Sequence, residues 1–303
     1  MEWCRFALIG DFVALTGTTR RTCQQPMTIT PILQYSNTPV LQCSDTPFVS
    51  DYYPVAIPSM REFQAMTTEA RRAILILYRR IEFRPQARSQ PFVHTLSDAE
   101  VEDTVGSFRH FPILVEELTH GLVQIESQVV SAERKLTTLT RMGPEQYWPS
   151  PDDTRPELDT LAPAGHYDSV FVLWPQSDLV TGRSIPSGGW GLAIAATAWS
   201  NWATYATVAN ARSATWQVPQ IGEVWLHEWL HGVCAFYAGL GYPMPAGDAD
   251  GGGRHGYKQS PDSGWTDYYR DLMTGNVLEH GRRIGIPLTA WPEWSAARIA
   301  DSR

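Results

Sequence analysis

The stretch VWLHEWLHGV, residues 224–233, sets two histidines four positions apart, His227 and His231, with Glu228 directly after the first. Around it, Val224, Trp225, Leu226, Trp229, Leu230, Val233, Phe236 and Tyr237 are apolar on almost every side, which predicts a helix from Gly222 to about Ala238 buried in the domain centre. Gly239 and Gly241 supply its stop. On such a helix His227 and His231 share a face, with β-carbons about 5 to 6 Å apart. That separation lets two imidazoles converge on one tetrahedral zinc ion at roughly 2.0 to 2.1 Å each. Glu228 is turned about 100° from His227, so its carboxylate is placed to touch the water such an ion activates and to act as general base. The competing reading is a structural helix whose histidines are satisfied by hydrogen bonds. Two imidazoles and a carboxyl among Trp, Leu and Val are costly to bury without partners, and a metal is such a partner.

Outward from this helix, the chain between residues 60 and 222 alternates helix and strand patterns. Residues 60–82 contain AILILY flanked by Arg71, Arg72, Arg79 and Arg80, which we expect to form a helix with one packed and one solvated side. Ser97 and Glu100 form a capping-box pattern that opens a helix carrying Val101, Val105, Phe108, Leu114 and Leu118, with Pro112 as a kink and Gly121 as its stop. LVQIESQVV (122–130) alternates as a half-buried strand does, and YDSVFVLW (167–174) is β-branched and aromatic enough for an inner strand. The proline-rich segment 143–165 reads as loop with one short helix, and 185–197 with 203–210 as further strands or a hairpin in which Gly188, Gly189 and Gly191 mark a bend or a close backbone approach.

Composition bounds the function classes. The chain has 303 residues, 24 basic against 32 acidic side chains and a formal net charge of -8, with no dense Lys/Arg stripe, so nucleic acid is excluded as the expected partner. No run approaches the roughly 20 apolar residues of a membrane span. Cys4, Cys23, Cys43 and Cys234 form neither a disulfide framework nor a Cys-type zinc site. Residues 6–15 make a poor signal peptide because Asp11 interrupts them and no cleavage site follows, so secretion is not legible. TPILQYSN, TPVLQCSD and TPFVSDYY (30–53) repeat every eight residues, and a Thr-Pro at that period blocks both helix and central strand. We therefore divide the chain into a leader, 1–59, without regular structure, and a domain, 60–303.

VWLHEWLHGV resembles the extended signature of the zincin superfamily of zinc metallopeptidases, in which uncharged residues separate and flank the ligands; Trp229, Leu230, Gly232 and Val233 comply. More loosely, the likeness extends over 100–303. It implies an α+β fold with an N-terminal helix, a twisted mixed sheet whose edge strand receives the substrate, the central ligand helix and a smaller, irregular and helical C-terminal subdomain. It implies a zinc-dependent endopeptidase acting on a protein or peptide, with an extended peptide adding to the hairpin around 188–208 as a strand. The alternatives are a small-molecule amidase or deformylase-like hydrolase and a non-catalytic binding module that keeps the helix.

The resemblance leaves the third ligand open. Metzincins, one zincin branch, place a third histidine ten residues after the first, but position 237 is Tyr and position 234 is Cys. Gluzincins use a later glutamate, for which Glu279 is the candidate. We expect His255, in the flexible GDADGGGRHGY loop (247–257), because imidazole suits zinc and the following DLMTG (271–275) is similar to the metzincin methionine turn. Glu279, Asp248, Asp250, Asp262 and Asp267 are the alternatives. Zincins set a Tyr or His near the scissile carbonyl, which makes Tyr257 the candidate oxyanion donor, with Tyr268 and Tyr269 beside it.

Overall fold

The run AILILY, expected to be a helix, is a strand: β1 spans Arg71–Leu77. Its side chains alternate between two cores, with Ala73, Leu75 and Leu77 in one and Ile74, Ile76 and Tyr78 in the other. A central parallel strand covered on both faces is apolar at every position, so it carries no period by which its sequence differs from a buried helix. The same alternation runs along the inner strand expected at 167–174, where Phe171 and Leu173 face the first core and Val170, Val172 and Trp174 the second.

This computed structural model describes residues 70–85, 90–143, 146–187, 191–212, 216 and 219–294. The eight-residue repeats, the expected helical residues 60–69 and the glycines at 188 and 189 lie outside them. In chain order the strands are β1, β2 (Arg80–Phe83), β3 (Phe92–Thr95), β4 (Ile125–Ser131), β5 (Thr140–Gly143), β6 (Gln146–Trp148), β7 (Ser169–Trp174), β8 (Ser177–Asp178), β9 (Arg183–Ser184), β10 (Gly191–Ile194), β11 (Thr204–Ala209), β12 (Val277–Glu279) and β13 (Arg282–Ile284). Among the described residues the α-helices with stated bounds are α1 (Asp98–Leu118), α2 (Arg155–Leu161), α3 (Glu223–Gly239) and α4 (Thr266–Met273). The protein is thus a mixed α and β fold built on one five-stranded sheet of order β10-β11-β7-β1-β4. β4, β1, β7 and β11 run parallel, whereas β10 pairs antiparallel with β11 at the edge. The remaining strands form four two-stranded ribbons.

Local chemistry explains the helices on the first face. Ser97 accepts from the Glu100 amide while the Glu100 carboxylate accepts from the Ser97 amide, the reciprocal cap expected from the sequence. Pro112 is accommodated inside α1. Phe108 and Phe111 of α1 meet Phe171 of β7 edge-on, and Trp225 and Trp229 of α3 meet the same two phenylalanines. Such edge-to-face pairs add roughly 0.5–1.5 kcal/mol each to the burial of the rings. The helix expected between Gly222 and Ala238 is therefore α3, buried as its sequence required. Leu272 and Met273 of α4, together with Trp291 and Trp294, join the same core as α3, so the segment from 266 to 294 shares one apolar centre with the sheet-facing helices. Among the described residues no helix is long and apolar enough to cross a membrane.

Candidate metal centre

His227 and His231 project from one face of α3 and bring their Nε2 atoms to 3.2 Å from each other. The Asp250 carboxylate approaches the same point, with Oδ1 3.6 Å from His227 Nε2 and Oδ2 4.0 Å from His231 Nε2. Donors bound at about 2.05 Å to a tetrahedral ion stand about 3.3 Å apart, close to this spacing. His227, His231 and Asp250 form a group that could hold a metal ion, with all three donor atoms within 4.8 Å of one another.

The connection after α3 explains why Asp250 is the residue that arrives. The helix runs eight residues beyond His231, about 12 Å at 1.5 Å per residue. Gly241 and Gly247, both at positive φ, reverse the chain, and the eight residues 240–247 span that return with ease. A short 3-10 turn, Asp248–Asp250, then folds against the helix. Its first residue serves a second purpose: Asp248 Oδ1 lies 2.5 Å from His231 Nδ1. With Nδ1–H donating to that carboxylate, the Nε2 lone pair is left to face the common point. Asp248 holds a left-handed φ of 37°, uncommon for a residue with a side chain, and is tied there by the Ala249 amide on its carboxylate and the Tyr268 hydroxyl on its carbonyl.

His227 is oriented from the other side, by α4. Its Nδ1 lies 2.9 Å from the Tyr269 hydroxyl. The two helices are registered one turn away, where the buried Glu223 carboxylate accepts the Trp265 amide at 2.7 Å. Glu223 and His227 are one turn apart on α3, as Trp265 and Tyr269 are around the start of α4, so one anchor sets the other contact.

Burial governs the electrostatics of the centre without a cation. It pushes His227 down to about 3, helped by the charge of His231, so that imidazole is neutral with a lone pair available. Burial also pulls on His231, but the hydrogen bond and charge of Asp248, with Glu228 and Asp250, outweigh it and hold the ring up at about 9. The same ion pair, through the hydrogen bond and charge of His231, keeps Asp248 low despite its burial. Glu228 is pushed up to about 7 by burial, and Asp250 is raised for the same reason. A cation at the shared point reverses this logic, since it favours every charged carboxylate and excludes the proton on His231.

The structure brings together three of the five residues expected from sequence. His227, Glu228 and His231 meet, but His255 and Tyr257 are engaged elsewhere. His255 sits in the next 3-10 turn, Gly252–His255, stacked on Tyr268 with its Nε2 3.7 Å from Glu279. Its side chain is only 5 % exposed, so it fills a buried slot instead of reaching toward the two histidines. Glu279 is thereby also accounted for, Asp267 pairs with Arg270 on the surface, and Asp262 is exposed. The Tyr257 hydroxyl donates to Asp271 and the Tyr268 hydroxyl to the Asp248 carbonyl. Met273 is a fully buried core residue closing α4. Sequence reading missed the orienting roles of Asp248 and Tyr269 and the anchor Glu223. The signal for the first was the Asp-x-Asp spacing immediately after Gly247.

Comparison of the sequence with protein-family models and with curated proteins gives no match to either.

Proposed function

We propose that the chain is a zinc-dependent metalloendopeptidase of the zincin type, with His227, His231 and Asp250 as the metal ligands and Glu228 as general base. The single observation that supports this most is the convergence of two Nε2 atoms 3.2 Å apart with one carboxylate, each imidazole fixed from behind by its own partner. Two neutral imidazoles and a carboxylate are a donor set suited to zinc, and three protein ligands leave a fourth position for water or substrate. A zinc ion held there supplies Lewis acidity toward a carbonyl oxygen and lowers the pKa of a water molecule toward 7.

The protein's own groups supply the rest. Glu228 follows the first ligand on the helix and its buried carboxyl feels the charges of His231, Asp250 and Asp248, so it takes the proton of the attacking water and returns it to the departing amine. Among the described residues β10 is the edge strand, paired on one side with β11, and its other side is where an extended peptide would add as a strand. The test is cleavage of a fluorogenic peptide library by purified protein, with and without a chelator, and by Glu228→Gln. We expect chelation to abolish cleavage and Glu228→Gln to lower kcat on the order of 10²- to 10⁴-fold with zinc content unchanged. Cleavage that survives Glu228→Gln overturns the mechanism. Stoichiometric zinc without hydrolysis across the library overturns the enzymatic assignment.

A further inference from the structure

Strand β10 does more than offer an edge, because its first residue touches the base. Along β10, Leu192 and Ile194 pack into the second core, whereas Ala193 packs into the core that contains α3. The two-residue period of a strand therefore turns the side-chain direction of Gly191, like that of Ala193, toward α3. A β-carbon built at Gly191 lands on the Glu228 carboxyl group, and its three nearest heavy atoms all belong to that side chain. Glu228 occupies the volume in which any other residue at 191 would place its side chain. The helix is held at this distance independently. At Gly232, one turn beyond Glu228, an added β-carbon would come within 2.9 Å of the Ile194 carbonyl oxygen and 3.1 Å of Thr204. α3 thus lies on β10 with almost no intervening side chain, and the missing β-carbon at 191 is what leaves the carboxyl a seat.

We propose that Gly191 is a positioning residue that seats the Glu228 carboxyl against the edge strand, in the place the general base must hold. The role rests on the hydrolase reading for its catalytic meaning, but the seat itself is a property of the fold. Because the obstructed atoms form the end of a flexible side chain, an added methyl displaces Glu228 and leaves backbone and metal ligands where they are.

Gly191→Ala is the test, read in four ways. Zinc content stays at one per chain. On a cleaved peptide, kcat falls by about 100-fold, the effect of a misplacement of about 1 Å, while KM changes little. In a Glu228→Gln background, already lacking the base, the same substitution costs less than about twofold more, because the two residues act through one group. A crystal structure of Gly191→Ala shows the Glu228 carboxyl moved from its place with His227, His231 and Asp250 unmoved. If the variant folds poorly, Gly191→Ala with Glu228→Ala recovers the thermal midpoint of Glu228→Ala alone, since the three atoms nearest the added methyl all leave with the Glu228 side chain. An unmoved carboxyl, wild-type kcat, an equal loss in the Glu228→Gln background, or no recovery in the double variant each overturns the proposal. Wild-type protein that cleaves no peptide refutes the hydrolase reading instead, and the crystallographic result still decides the seat.

Discussion

Replacing Asp250 by Ala removes one of three converging donors while leaving the helix that carries the other two intact. An apparent zinc-binding free energy of about 12 kcal/mol, spread over four bonds, assigns each about 3 kcal/mol, or on the order of 100-fold in affinity. Water fills the vacated position, so zinc binds Asp250→Ala more weakly but is not excluded. His255→Ala is the paired measurement. It removes the stack on Tyr268 and the contact with Glu279, so it lowers the melting temperature, but His255 lies outside the donor group and zinc affinity stays within about twofold. Competition against a fluorescent zinc chelator, with metal content read by atomic absorption, gives both affinities on one scale. Wild-type affinity in Asp250→Ala, or a loss of about 100-fold in His255→Ala, would refute the assignment of the third ligand and return it to the histidine.

Tyr269→Phe removes the hydroxyl behind His227 and is expected to weaken zinc binding about 10- to 100-fold with the fold retained, as outer partners of metal ligands do; unchanged affinity would assign the hydroxyl no orienting role. Metal binding releases protons: without a cation His231 keeps its proton up to about 9 and Glu228 is near half-protonated at about 7. At pH 7 binding should therefore expel about one to one and a half protons, and affinity should climb with pH and level off near 9. Calorimetry in two buffers of different ionisation enthalpy measures that number, and zero release contradicts the Asp248–His231 ion pair. Gly232→Ala presses a methyl on the Ile194 carbonyl and Thr204, which belong to the sheet and cannot turn aside. It should destabilise by about 1–3 kcal/mol, a fall of about 3 to 10 °C by scanning calorimetry; an unchanged midpoint would mean that α3 does not lie so close to the sheet.

Much of the domain was legible locally. The reciprocal cap of Ser97 and Glu100, the strands expected within 122–130 and 167–174, strand character within 185–197 and 203–210, and the approximate limits of α3 all followed from neighbours a few residues apart, whereas the antiparallel pairing of β10 with β11 was left open between separate strands and a hairpin. AILILY misled because its burial comes from two layers that the sequence places far away, β4 and β7 beside it and a core on each face. Its apolar run carries the fact of burial and not the shape.

The amino-acid order by itself determined the pair His227 and His231 and the adjacent Glu228, because four residues of α-helix fix the distance between two side chains whatever surrounds them. Only the tertiary structure brought Asp250, and not His255, into the group with His227 and His231 that could hold a metal ion, although both lie within reach of a glycine-rich chain whose closure costs little more for a few added residues. Packing made that choice. The Tyr268 ring and Glu279 took His255 into a buried slot, the reversal at Gly247 delivered Asp250, and the missing β-carbon of Gly191 left room for the base, none of which a local spacing can encode.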